Sequence, residues 1–209
     1  MNLVEQAKSA IVRADQLQSK LTPAALCVPG MSSPKVRHFL NNVTDFPGCR
    51  YLEIGTFKGS TLIAALLGKR ITYWAIDNFV EYGGTWEALL ENYNQFFPGN
   101  PHLIGQDCFS FDPFAAGIKD VNVYFYDGWH SQEAQEKALT HYIKCLKNPF
   151  IFIVDDWNGK EGQPVRDGTM NAIQKLKLNV LYDYTAPGVG SDVTQWWNGL
   201  WIAVLQQTS

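Results

Sequence analysis

From residue 50 onward the chain alternates short apolar runs with longer stretches whose apolar side chains recur every three or four positions. The runs 50–54, 72–76, 102–105, 121–126 and 150–154 predict strands, and the stretches 60–67, 85–96, 131–146 and 164–176 predict helices. Regular alternation of strand and helix predicts a parallel sheet with helices on both faces. The order breaks near the end, where 180–185 and 200–206 are apolar runs joined by a loop alone, which predicts an antiparallel hairpin. Ahead of the alternating region, Leu3, Ile11, Leu17 and Leu21 fall at roughly helical spacing until Pro23, Pro29 and Gly30 interrupt them. A second helix is predicted from Ser33, with Pro34 at its first position and Val36, Phe39, Leu40 and Val43 as its buried stripe. Residues 1–45 are therefore expected to form a helical cap and 46–209 an α/β core. No repeat, low-complexity tract or linker divides the chain, so one domain is expected.

Tyr51-Leu-Glu-Ile-Gly-Thr-Phe-Lys-Gly-Ser60 joins the first strand to the helix that follows it. Gly55 and Gly59 fall in the connecting loop, where a missing Cβ lets a ligand approach the backbone, and Thr56 and Ser60 lie beside them. Glu53 stands at the end of that strand and Asp77 at the end of the next, where a carboxylate can accept hydrogen bonds from ribose hydroxyls. A dinucleotide-binding turn would need glycine in place of Glu53, because the pyrophosphate sits close to the backbone there. An acid suits a cofactor with cationic groups and no phosphate, a description met by the sulfonium and amino groups of S-adenosylmethionine.

Glu53, Gly55 and Gly59 resemble the first motif of the class I S-adenosylmethionine-dependent methyltransferases: an acidic residue, any residue, Gly, three residues and Gly. The resemblance extends over about residues 46–206. It implies a Rossmann-like, mostly parallel seven-stranded sheet with a terminal antiparallel hairpin, the last strand inserting between the fifth and sixth. It also implies that Glu53 and Asp77 bracket the amino-acid and ribose portions of the cofactor. Asp107 and Cys108 follow the third strand, where that family meets the adenine; an Asp at a loop start is equally a turn former.

In an open parallel sheet the ligand crevice lies beyond the carboxyl ends of the strands. Here those ends are acidic, with Asp127-Gly-Trp-His130 after the fourth strand and Asp155-Asp-Trp-Asn158 after the fifth. Asp127, Asp155 and Asp156, with His130 and Asn158 nearby, form an oxygen-rich set suited to a hard divalent cation such as Mg²⁺. The competing expectation is that Asp127 caps the helix starting at Ser131 and that Asp155 and Asp156 are solvated loop acids. The arrangement resembles catechol O-methyltransferase-like enzymes and, in wording, the group that includes macrocin O-methyltransferases. There an acid after the fourth strand and an acidic pair after the fifth bind the metal, and Asp127, Asp155 and Asp156 match those positions. Asp-Asp stands here where the catechol enzymes have Asp-Asn. A cation at this spot would lower the pKa of an acceptor hydroxyl, with His130 as candidate base beside Asp127. His141, midway along its predicted helix, is expected to be structural.

The 209 residues are 46% apolar, enough for one sizeable core. A formal net charge of −3 without runs of like charge argues against nucleic acid or an anionic membrane as partner and favours a small-molecule acceptor. Cys27, Cys49, Cys108 and Cys145 have no CxxC spacing, so reduced thiols in a cytoplasmic protein are expected. The N-terminus lacks the order of a signal peptide, and no apolar run reaches membrane-spanning length. A homodimer is compatible with the aromatic cap and the hairpin but has no self-complementary signature. Loops 82–86 and 187–197 are expected to form a lid. Phe57, Phe79 or Trp129 would face the adenine or acceptor, and Trp157, Trp196 and Trp197 either stack on a planar acceptor or fill core. The expected function is S-adenosylmethionine-dependent methyl transfer to a small-molecule hydroxyl with Mg²⁺ assistance. The alternative is a non-catalytic S-adenosylmethionine- or partner-binding domain, and an NAD-dependent oxidoreductase and a metal-assisted hydrolase are further rivals.

Overall fold

The apolar runs become the strands of one twisted sheet in the computed structural model, which describes residues 2–160, 162–188 and 190–208. In chain order the helices and strands are α1 (Leu3–Asp15), α2 (Pro23–Leu26), α3 (Pro34–Val43), β1 (Arg50–Ile54), α4 (Ser60–Leu66), β2 (Thr72–Ile76) and α5 (Trp86–Asn94). There follow β3 (Leu103–Ile104), β4 (Val121–Tyr126), α6 (Gln132–Tyr142), β5 (Leu146–Val154), α7 (Gly162–Lys175), β6 (Leu178–Thr185) and β7 (Trp201–Gln207). Among the described residues the sheet has seven strands in the order β3-β2-β1-β4-β5-β7-β6. The pairs from β3 to β5 are parallel, whereas β7 runs antiparallel between β5 and β6, as the terminal hairpin predicted.

Alternation along the central strands divides the core. Tyr51, Val123, Phe125, Ile151, Ile153, Ile202 and Val204 face α1, α3 and α4. Leu52, Ile54, Tyr124, Tyr126, Phe152, Val154 and Ala203 face α6 and α7. Both faces are covered, which is why these strands read as continuous apolar runs. At the carboxyl ends the ladder continues one residue into each loop. Gly55 N donates to Ile76 O (2.9 Å), Asp77 N to Ile104 O (3.2 Å), Asp127 N to Ile54 O (2.9 Å) and Asp155 N to Tyr126 O (3.1 Å). Four loops therefore leave the sheet at one level, and their first side chains share one rim.

The N-terminal helices differ from the expectation in detail. α1 stops at Asp15, and Leu17, expected on its stripe, is exposed with φ +53°. The buried face of α1 keeps the expected Leu3 and Ile11 and adds Ala7, Ala10 and Ala14, small residues that let it lie close to α3 and the sheet. Pro23, expected as a breaker, opens α2 at its first turn with Thr22 as cap, a position where its missing N–H costs nothing. The stripe Val36, Phe39, Leu40 and Val43 is buried as predicted. Leu146 was expected at a helix end but begins β5, after a 3₁₀ turn over Ile143–Cys145. Pro149 explains this, since a proline cannot donate within a helix and disfavours helical backbone just before it.

Candidate cofactor and cation site at the strand ends

The loop from Glu53 to Ser60 is shaped by two glycines with different reasons to be there. Gly55 has φ +87°, and a Cβ on it would lie 1.9 Å from the backbone oxygen of Asp127, so the β1 loop presses on the end of β4. Gly59 has φ +85° and caps α4, but a Cβ there would make only ordinary contact with Leu89 at 3.5 Å and Ile63 at 3.6 Å, so conformation alone demands glycine. Asp77 ties the loop down from β2: its Oδ2 accepts from Phe57 N and its Oδ1 from Phe79 N, each at 2.7 Å. Thr56 is buried in the middle of this loop, and its Oγ1 has no hydrogen-bond partner.

Glu53 is fully buried, on the face of β1 that carries Tyr51. The Tyr51 hydroxyl donates to its Oε2 at 2.6 Å and the Thr61 hydroxyl to its Oε1 at 2.7 Å. Burial raises its pKa to about 7; the two hydroxyl donors oppose that rise, and the Asp77 charge adds to it. Glu53 thereby clamps β1 to the first turn of α4 from beneath the loop.

Across the rim, Asp127, His130 and Asp156 each offer a ligand atom, and those atoms all lie within 4.8 Å of one another. His130 Nε2 stands 2.8 Å from Asp156 Oδ2. Asp155 is buried behind them, hydrogen-bonds to Asp127, and leaves Oδ1 without a hydrogen-bond partner. Loss of water, then the charges of Asp155 and Asp156, push the Asp127 carboxyl well above the ordinary carboxylate range. Burial followed by the Asp156 charge raises Asp155 to about 8. For Asp156 burial acts upward as well, but the hydrogen bond and charge of His130 and the amide of Asn198 outweigh it, and its pKa falls. No lysine or arginine among the described residues pairs with these acids. The cap of α6 is the Ser131 hydroxyl, which accepts from Ala134 N at 3.2 Å, so Asp127 is free of that duty.

No family model matches the sequence, and no curated protein matches it. Solved structures do match. The SAH-bound methyltransferase PaMTH1 of Podospora anserina superposes with a TM-score of 0.62 at 15% identity, over 99% of this chain and 88% of its own. The O-methyltransferase NovP superposes at 0.55 and 16% identity, over 83% and 78%. SMU.776, complexed with SAH, superposes at 0.59 and 12% identity over 85% of this chain and 50% of its own, so this chain spans about half the length of that protein. The chain has a Rossmann-like methyltransferase fold.

Within this methyltransferase fold the other expected residues spread unevenly around the rim. Asp107 is exposed and accepts from Phe109 N at 2.7 Å, the turn-forming alternative for that residue. Cys108 is half-buried, with its carbonyl accepting from Tyr142 and its thiol pushed up to about 12 by burial and the Asp107 charge. Asn158 donates to Ala186 O at 3.2 Å. His141 is structural, with Nε2 2.9 Å from Phe111 O. Two tryptophans expected to have a choice between acceptor and core belong to the core: Trp196 is fully buried and donates to Asp15, and Trp157 stacks on Trp201 at 5.0 Å. Trp129, by contrast, is 57% exposed beside His130. Loop 82–86 lies over the β1–α4 loop, since a Cβ on Gly84 would meet the Phe57 ring at 2.6 Å.

Three residues near the rim were missed by sequence reasoning. Arg37, buried on α3, donates to Ser32 Oγ and to the carbonyls of Leu26 and Val28. That clamp holds segment 26–32 so that Ser32 Oγ lies 3.4 Å from Ser60 Oγ at the start of α4. The third, Asn198, donates to Asp156 Oδ1. A buried arginine in a helix stripe is a readable signal; an asparagine in a long loop carries none.

Proposed function

We propose that this chain binds S-adenosylmethionine against the β1–α4 loop and transfers its methyl group to a hydroxyl of a small-molecule acceptor, with a divalent cation such as Mg²⁺ held by Asp127, Asp155 and Asp156. The observation that carries this reading is the meeting on one rim of a glycine-shaped loop, tied to Asp77, with the cluster of Asp127, His130 and Asp156, next to which the buried Asp155 leaves one oxygen without a hydrogen-bond partner. The residues fit the cofactor: the buried Thr56 hydroxyl lacks a partner in the loop, and the surroundings are acidic, which favours a sulfonium and an ammonium over a pyrophosphate. They fit a hard cation as well, because the donors are mainly carboxylate oxygens. When bound, the cofactor supplies an electrophilic methyl and the cation lowers the pKa of the acceptor hydroxyl. The fold of the SAH-bound neighbours supports the cofactor assignment.

The chain's own residues have distinct tasks in this reading. Asp77 holds Phe57 and Phe79 and keeps lone pairs on both oxygens for ribose hydroxyls. Glu53 acts from below, by fixing the loop against α4. His130 accepts the acceptor's proton, and Asp156, 2.8 Å from Nε2, stabilises the imidazolium that results. The acceptor would lie between Trp129 and loop 82–86. Calorimetric titration of S-adenosylmethionine, first with Mg²⁺ and then with EDTA, and with NAD as comparator, tests the reading. Micromolar binding of S-adenosylmethionine and none of NAD is expected. Silence with S-adenosylmethionine in both buffers would refute it, and binding of the cofactor without any cation binding would favour the non-catalytic alternative.

A further inference from the structure

The β6–β7 loop reaches the acidic cluster through the side chain of Asn198. Asn198 Nδ2 donates to Asp156 Oδ1, leaving Oδ2 to face His130 Nε2. The other end of the same amide, Oδ1, accepts from Ser191 N at 2.8 Å, and the Asn198 carbonyl accepts from Asn158 N at 2.8 Å. Asn198 thus bridges the loop tip, the Asp156 carboxylate and the turn just after it. The backbone on both sides is committed to this placement. Trp197 and Asp156 each adopt φ +56°, and Gly199 sits where a Cβ would lie 2.4 Å from Asn158 Nδ2. Left-handed conformations of residues other than glycine are unfavourable and persist only where the surroundings hold them. An amide is the suitable group because it donates at one end and accepts at the other without adding charge beside a carboxylate meant for a cation.

We propose that Asn198 is a positioning residue that holds Asp156 in the orientation needed to bind the cation and to face His130; this rests on the cation-assisted reading above. A carboxylate turns readily about its terminal torsion, so without the Asn198 amide Asp156 loses the contact that fixes the plane of its carboxylate relative to His130. Partners of this kind usually change metal affinity by 10- to 100-fold when removed.

The test is titration of Mn²⁺, a paramagnetic stand-in for Mg²⁺, into the wild type, Asn198→Leu, Asn198→Ala and Gln195→Ala, read by the electron paramagnetic resonance signal of free Mn²⁺. Thermal melting and S-adenosylmethionine calorimetry are run on the same samples. Asn198→Leu, which keeps the volume but not the donor, is expected to bind Mn²⁺ at least about 10-fold more weakly. Its affinity for S-adenosylmethionine is expected to stay within about twofold, and Gln195→Ala, whose residue contacts Lys35 instead, should match the wild type. If the Leu variant does not fold, the Ala variant takes its place with the same expected loss. Wild-type Mn²⁺ affinity in a folded Asn198 variant would overturn the role of Asn198 alone. Failure of the wild type to bind Mn²⁺ would overturn the cation reading and this proposal with it, and the calorimetry would show separately whether the cofactor reading stands.

Discussion

Gly55 and Gly59 share a positive φ yet should respond very differently to alanine. For Gly59→Ala the cost is conformational: φ is +85°, and the new Cβ would make ordinary contact with Leu89 at 3.5 Å. Left-handed backbone costs an L-residue about 1–2 kcal/mol, offset by about 0.5 kcal/mol because alanine stiffens the unfolded chain, so a net loss near 1 kcal/mol is expected. For Gly55→Ala the same strain applies at φ +87°, and the Cβ would also lie 1.9 Å from the Asp127 oxygen and 2.7 Å from its carbonyl carbon. Those atoms are backbone, hydrogen-bonded into the sheet through Asp127 N and Ile54 O, so no side-chain rotation relieves the overlap. Overpacking of this kind adds about 1–3 kcal/mol, giving about 2–4 kcal/mol in all. The relief must come from moving the β1–α4 loop away from β4, so on the proposed function Gly55→Ala should weaken S-adenosylmethionine binding and Mn²⁺ binding together, whereas Gly59→Ala should affect S-adenosylmethionine binding alone. Urea unfolding of both variants, with the two titrations, measures this. Losses of stability within about 0.5 kcal/mol of each other would refute the close-contact argument.

Three further outcomes are expected. Because burial raises Glu53 to about 7 from its ordinary 4.5, the folded state holds a proton that the unfolded state releases between those values. Its stabilising contribution is present in full below pH 4.5 and is lost as pH rises through 7, a change of about 3 kcal/mol, so urea unfolding at pH 5 and pH 8 should show a smaller difference in Glu53→Gln than in the wild type. Asp155→Asn should weaken Mn²⁺ binding by at least about tenfold while sparing S-adenosylmethionine affinity, and unchanged Mn²⁺ affinity would remove Asp155 from the ligand set. Trp196→Ala should cost about 3–5 kcal/mol by emptying a buried site, whereas Trp129→Ala should stay within about 0.5 kcal/mol; equal melting temperatures would contradict that assignment.

Much of this molecule is written locally. Apolar alternation determined which segments are strands and helices, because a strand buried on both faces must be apolar throughout and a covering helix must carry a stripe. The glycines after β1 and the acids at four strand ends were visible too, since the chemistry of a loop depends on residue types at fixed spacing. Contacts between distant segments were not. The reason for Gly55 lies at the end of β4, Glu53 accepts from the hydroxyls of Tyr51 and Thr61, and the two buried tryptophans differ from exposed Trp129 only in what packs over them. Asn198 shows the same division: nothing around it in the chain marks it, and only insertion of β7 between β5 and β6 brings its amide to Asp156. Sequence by itself determined the elements and the acidic rim, because periodicity and residue type are local properties. Tertiary structure alone decided which acids meet one another and which loop steadies them, because burial and hydrogen bonding depend on chain segments that meet only when the sheet closes.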